Sequence, residues 1–160
     1  MLRLRDLLPP DPDTLEVDAV LVASEGRAIP EAAIALAENI TRRNGARVYV
    51  FSIARVWGTG LGLPMPGLFP NKAEWDVQHE LVRKAVEALR QRGVKADGRV
   101  VGTRRAGKRI VAEAARLGCG AIVMGGDPQR NRFLADFVWS QEPYRVRRRA
   151  RVPVHVVPSG

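Results

Sequence analysis

A chain of 160 residues, 46% of them hydrophobic, can bury one ordinary core and is too apolar for wholesale disorder. Its formal charge of +9, from 26 Lys and Arg against 17 Asp and Glu, favours an anionic ligand or nucleic acid without choosing between them. Cys119 has no intrachain disulfide partner, His79 and His155 lie far apart, and no apolar run reaches bilayer length; zinc, a disulfide framework and membrane spanning are all disfavoured, and a cytoplasmic protein is expected.

Met1–Glu16 reads as an N-terminal extension, a loosely tied arm broken by Pro9, Pro10 and Pro12 and without the apolar core of a secretory signal. Val17–Ala23 is a β-branched run, the first strand, and Ser24-Glu25-Gly26 is the turn after it. A helix is expected over Pro30–Arg43, with proline in its first turn, Glu31 at the positive end of its dipole, and Asn44-Gly45 closing it. Ile29, Ala33, Leu36, Ala37 and Ile40 form its apolar stripe. Arg47–Ile53 is the second strand.

Ala54–Asn71 follows, a Gly- and Pro-rich stretch with Trp57, Leu61, Leu63, Met65, Leu68 and Phe69 interleaved; its length and apolar content suit a lid or an interface element. Lys72–Arg92 is the second helix, buried through Leu81, Val82, Ala85, Val86 and Leu89 and ended by Gly93. Val94–Val101 is a third strand, placed near an edge because Asp97 and Gly98 interrupt it. Gly107–Leu117 is the third helix, with Ile110, Val111, Ala114 and Ala115 inward. Ala121–Met124 is a short buried strand with Gly125-Gly126 directly after it. Arg130–Ser140 is irregular or a short helix, Glu142–Arg149 is a final short helix, and Val152–Val157 is a last strand, at an edge because Pro153 lacks a ladder donor.

Strands alternating with helices, and strands apolar almost throughout, predict a single α/β domain over residues 17–160. Its sheet is doubly wound and mostly parallel, with helices on both faces and right-handed crossovers. In such sheets ligands lie just past the carboxyl ends of the strands, which directs attention to Gly125 and Gly126.

Three other features invite chemistry. Gly102-Thr-Arg-Arg-Ala-Gly107-Lys108-Arg109 matches Gly-x-x-x-x-Gly-Lys, but Arg109 stands where a P-loop needs a Ser or Thr on magnesium, so an exposed basic loop is expected. Arg145–Arg151 is a basic run without the aromatic interleaving of a single-strand platform; nucleic acid is not the expected partner, and a solvated helix face is. No catalytic set stands out: Ser24 and Ser140 have no histidine nearby in sequence, and Cys119 and His155 read as buried structural residues.

Four stretches in order carry a resemblance: Leu21-Val-Ala-Ser-Glu25-Gly26, Asn44-Gly-Ala-Arg-Val48, Leu117-Gly-Cys-Gly-Ala-Ile-Val-Met-Gly125, and Arg149-Ala-Arg-Val-Pro-Val-His-Val-Val157. Together they resemble the universal stress protein family from Val17 to the C-terminus. The resemblance implies a five-stranded sheet of order 3-2-1-4-5 and an adenine-nucleotide crevice between the first and fourth strands. The positions it marks are Ser24, Glu25, Ile53, Met124, Gly125, Gly126, Ser140 and Gln141. It also implies a homodimer, often paired through the last strand, and a conformational rather than catalytic role.

ATP-binding members carry Gly-x-x-Gly and then Gly-Ser or Gly-Thr, small residues whose N–H groups approach phosphates. Here Gly125 matches the first glycine, Pro128 replaces the second, Ser140-Gln141 stands opposite Gly-Ser at a longer spacing, and Glu25 replaces an aspartate. Three readings follow. One is a dimeric stress-type binding module with a degraded nucleotide crevice. Another binds ATP with slow or no hydrolysis, the phosphate site rebuilt by Gly126, Ser140, Arg130 and Arg132 and magnesium held by Asp127 if ATP binds. The last is a basic nucleic-acid-associated protein.

Overall fold

A computed structural model describes residues 10–55, 72–126 and 142–159. The elements are β1 (Ala19–Ser24), α1 (Glu31–Asn44), β2 (Arg47–Arg55), α2 (Lys72–Gln91), β3 (Ala96–Thr103), α3 (Ala106–Arg116), β4 (Ala121–Gly126), α4 (Glu142–Arg149) and β5 (Val154–Pro158). The strands form one parallel sheet in the order β3-β2-β1-β4-β5. This is the expected architecture, with β3 and β5 at the edges.

β1 lies at the centre, and every one of its residues is buried. Its uninterrupted apolar run is what a strand covered on both faces requires. Alternate residues feed two cores. Val20 and Val22 pack with Val48, Val50 and Val123 beneath α1 and α2. Leu21 and Ala23 pack with Phe51, Ile53, Ile122 and Met124 beneath α3 and α4.

The helices are set by their stripes and ends. α1 buries Ala33, Ile34, Ala37, Ile40 and Thr41, and Gly45 ends it in the left-handed region at φ 61°. α2 buries Val82, Ala85, Val86 and Leu89 as expected, and also Gln78. α3 buries Ile110, Ala114 and the charged Glu113. Glu113 bonds Arg116 at 2.6 Å, and Arg99 of β3 lies 3.3 Å away. The Arg116 hydrogen bond holds its carboxyl below the usual range against the opposing effect of burial. On β3, a Cβ at Gly98 would stand 2.3 Å from Val82 Cγ1 and 2.9 Å from Val86 Cγ2. The absence of a side chain there lets α2 lie directly on the edge strand.

Ala115, expected inward on α3, is exposed, and the last strand begins at Val154 and not at Val152. Two larger features also depart from the sequence reading. β4 does not end at Met124: Gly125 and Gly126 continue it, paired with Val157 and Pro158 of β5. The glycine pair is therefore strand, not loop. The N-terminal segment is not a loose arm where it is described. Pro12–Thr14 forms a 3-10 turn capped by the Asp11 carboxylate. It is tied to α1 by Asn39 Nδ2 donating to Asp13 Oδ1 at 2.9 Å, by Asn44 Nδ2 donating to the Leu15 carbonyl at 2.9 Å, and by an Arg43–Asp13 ion pair at 3.3 Å. Leu15 and Val17 then pack on the α1 core.

His155 is buried in β5 opposite Val123, and its Nε2 has no hydrogen-bond partner among the described residues. Burial pushes its pKa below the ordinary 6.5, Arg147 acts in the same direction, and Asp11 opposes them. The unfolded chain then takes up this proton before the folded one does, so protonation favours unfolding. Stability should fall as pH drops below 6.5 and stop falling, for this group, below the folded pKa. Chemical denaturation between pH 8 and pH 5 checks this: His155→Leu should flatten part of the slope seen in the native chain, and an unchanged slope contradicts it.

Candidate functional site

The parallel sheet places the carboxyl ends of its strands along one edge. The chain leaves β1 toward α1 on one face and enters β4 from α3 on the other, so β1 and β4 flank the topological switch point. Their ladder runs from Val20 opposite Ala121 to Ala23 opposite Met124. One residue beyond the last pair stand Ser24 and Gly125.

The β1–α1 turn is held by its own side chains. Ser24 Oγ donates to the Arg27 carbonyl at 2.5 Å and accepts from the Gly26 N–H at 3.1 Å. Gly26 has φ 110°, which favours glycine at the reversal. Glu25 is 2% exposed and forms an ion pair with Arg27 Nε at 2.9 Å. A carboxylate and a guanidinium are thus held together just past the carboxyl end of β1.

A residue that sequence reasoning missed braces this turn from below. Gln78 of α2 is 1% exposed; its Oε1 accepts from Ser52 Oγ at 2.6 Å and its Nε2 donates to the Gly26 carbonyl at 3.0 Å. One amide therefore joins α2, the end of β2 and the turn after β1. The signal was present in the sequence: Gln78 lies four residues before Val82, on the helix's apolar stripe. A polar residue in that position has to find buried partners.

The remaining predicted positions divide clearly. A Cβ on Gly125 would meet the Pro30 ring at 2.9 Å, and one on Gly126 would meet Val156 Cγ1 at 2.5 Å. Their smallness serves close packing on α1's leading residue and on β5, so the space a side chain would occupy is filled by protein and not left open for phosphate. Ile53 and Met124 are fully buried in the core under α3 and α4. The structure thus brings Ser24, Glu25 and Gly125 to one place and sets Ile53 and Met124 beneath it. Ser140, Gln141, Asp127, Pro128, Arg130, Arg132 and residues 56–71 lie outside the described residues.

The other motifs resolve too. Between β3 and α3 only Arg104 and Arg105 lie outside both elements, and Gly107 is buried in the first turn of α3. No phosphate-wrapping loop exists there. In the basic run, Arg147 donates from Nε and Nη2 to the Val154 carbonyl at 3.2 and 3.1 Å, pinning α4 to β5. The Cys119 thiol is buried, and burial together with the Glu113 charge pushes its pKa up to about 11, as suits an unreactive thiol. No helix among the described residues is long and apolar enough to cross a membrane.

A model of the universal stress protein family matches residues 16–158. No curated protein matches the chain by sequence. Among solved structures, a universal stress protein from Archaeoglobus fulgidus is 20% identical, with 86% of this chain and 91% of that one covered at a TM-score of 0.66. The universal stress protein from the same organism in complex with dAMP is 21% identical, covering 86% and 95% at 0.64. A universal stress protein in complex with cAMP is 16% identical, covering 91% and 100% at 0.63. At such identities these likenesses establish the fold.

Proposed function

The chain belongs to the universal stress protein family, and from that premise we propose that it is a stress-type binding and signalling module whose crevice, at the carboxyl ends of β1 and β4, holds an adenosine monophosphate-type nucleotide. The observation that carries this reading is the pre-formed turn Ser24–Arg27, braced by Gln78 and carrying the buried Glu25 carboxylate at the switch point. A carboxylate there can accept from the exocyclic amine of adenine, and Arg27 adds a fixed cation beside it. The nucleotides named for similar proteins, dAMP and cAMP, each carry one phosphate. That suits a chain in which Pro128, with no N–H, replaces a glycine of the family's triphosphate cradle.

The same reading makes the protein a cytoplasmic homodimer. β5 is an edge strand with half-exposed Val156 and Val157, which suits pairing with a second copy. ATP binding with slow hydrolysis is the second reading, supported by Ser140 with Arg130 and Arg132 before it in sequence.

Calorimetric titration separates the two. AMP and magnesium-ATP should bind within about tenfold of each other, GMP should bind more weakly, and Glu25→Ala should weaken AMP by about tenfold or more, the value of one charge-assisted hydrogen bond. Far-UV circular dichroism checks that the variant is folded. Magnesium-ATP preferred over AMP by several hundredfold would select the second reading, and no binding of either at millimolar concentration would overturn both.

A further inference from the structure

We propose a second anion site, remote from the crevice: the groove between the start of α3 and α4, with a small oligophosphate as its ligand. The groove encloses about 630 Å³ and is lined by Arg104, Arg105 and Lys108 on one side and by Arg145 and Arg149 on the other. That volume lies in the range of small-molecule sites. All five cationic side chains are exposed. This proposal does not rest on the crevice reading.

The groove gathers cations that carboxylates leave unmatched. On the rest of the surface many arginines are matched: Arg42 with Glu38, Arg83 with Glu80 and Glu87, Arg92 with Glu38, and Arg116 with Glu113. The Arg90–Asp97 and Arg99–Glu113 pairs continue the pattern. Arg104, Arg105, Lys108 and Arg149 make no ion pair among the described residues, and the first turn of α3 has no acidic residue. Three of these cations crowd the positive end of a helix dipole, where the helix itself favours anions. Two chain segments far apart in sequence therefore concentrate unneutralised positive charge on one concavity. A compact ligand with several negative charges neutralises all of it at once, and guanidinium groups from two walls suit phosphate oxygens.

Charge and size also choose the class of ligand. A single phosphate leaves most of the cations unmatched. A nucleic acid needs an extended track or stacking platform, and the groove supplies neither an aromatic face nor length. Gly107 and Ala106, both buried, keep the floor free of bulk. A chain of a few phosphates remains, either as a free oligophosphate or as the tail of a nucleotide.

The test uses the full chain, tripolyphosphate as probe, and titration at two ionic strengths. The native chain should bind tripolyphosphate more tightly than inorganic phosphate, and raising salt should weaken binding steeply. Arg105→Gln with Arg149→Gln should weaken it by at least about tenfold, the loss of charge-assisted contacts, while AMP binding stays unchanged. Arg42→Gln with Arg83→Gln removes the same net charge from the opposite face and should leave affinity within about twofold, since those side chains are screened surface charges. Displacement of tripolyphosphate by ATP but not by adenosine shows that nucleotide tails share the site; no displacement by ATP assigns it to free oligophosphate. The proposal is overturned if tripolyphosphate does not bind, if both double variants weaken it equally, or if only long RNA or DNA binds. Because the probe has no base, its failure leaves the crevice reading untouched, and failure of AMP binding leaves this one untouched.

Discussion

Phe51→Ala is expected to cost about 3–5 kcal/mol, the range for removing a large aromatic side chain from a rigid core. Phe51 is 1% exposed and sits on β2 between β1 and β3. Its ring packs with Ile53, Ala23 and Ile110 under α3. The strand cannot move to close the gap, because both of its ladders are fully paired from Val48 to Ser52. Of the two residues beside it in register, Ala23 is too small to fill the void and Arg99 is paired with Glu113. A domain of this size has about 5–15 kcal/mol in total, so the variant should be marginal at 37 °C. Urea unfolding checks this: the midpoint should fall sharply with the slope unchanged, and Phe51→Leu should recover much of the loss. A midpoint shift worth under about 1 kcal/mol would contradict the packing described.

Gln78→Leu is expected to cost about 2–4 kcal/mol although it replaces a polar residue with an apolar one of similar size. The substitution strands two groups. Ser52 Oγ, fully buried, loses its acceptor at 2.6 Å, and the Gly26 carbonyl loses its donor at 3.0 Å. Each buried polar group left alone costs about 1–3 kcal/mol, more than the leucine regains. The loss should also reach the crevice, since the Gly26 carbonyl is the point at which α2 holds the β1–α1 turn. Gln78→Leu should therefore weaken AMP as well as lower the unfolding midpoint, and Gln78→Leu with Ser52→Ala should regain part of the stability without the affinity. Stability lost with AMP affinity intact would show that Gln78 braces the sheet and not the site.

The sheet was readable because its strands are short, apolar and punctuated. Asn44-Gly45 marks the end of α1, and Gly118, at φ 66°, lies in the turn just after α3. The edge position of β3 was readable from Asp97-Gly98, residues a central strand rejects, whereas Pro153, read as a strand residue lacking a ladder donor, lies just before β5. Three features were not readable for physical reasons. Gly125-Gly126 looks like a loop to any local reading, because glycine opposes strand structure; only the partner β5 and the close approach of Pro30 and Val156 explain it. Gln78 and Glu113 were hidden by long-range partners, Gly26 and Ser52 for one and Arg99 for the other. The docking of Asp11–Leu15 on α1 likewise depends on Asn39, Arg43 and Asn44, contacts that no periodicity announces.

For the candidate site, the sequence indicated which residues stand at the carboxyl ends of β1 and β4 but not what those residues touch. Ser24, Glu25 and Gly125 meet where the topology requires. Ser24, however, spends its hydroxyl on the turn, and Gly125 spends its missing side chain on Pro30. The proposed nucleotide contact therefore rests on Glu25, ion-paired with Arg27 at 2.9 Å.

On the proposed function, an adenine nucleotide lies at the carboxyl ends of β1 and β4 with its base against the β1–α1 turn. A crystal structure of the protein soaked with AMP tests it most directly. The adenine ring should lie between the Ser24–Arg27 turn and the end of β4, with its exocyclic amine in hydrogen-bond reach of Glu25. A nucleotide bound away from β1 and β4, or seated there with its phosphate against Glu25 and its base in solvent, would contradict it.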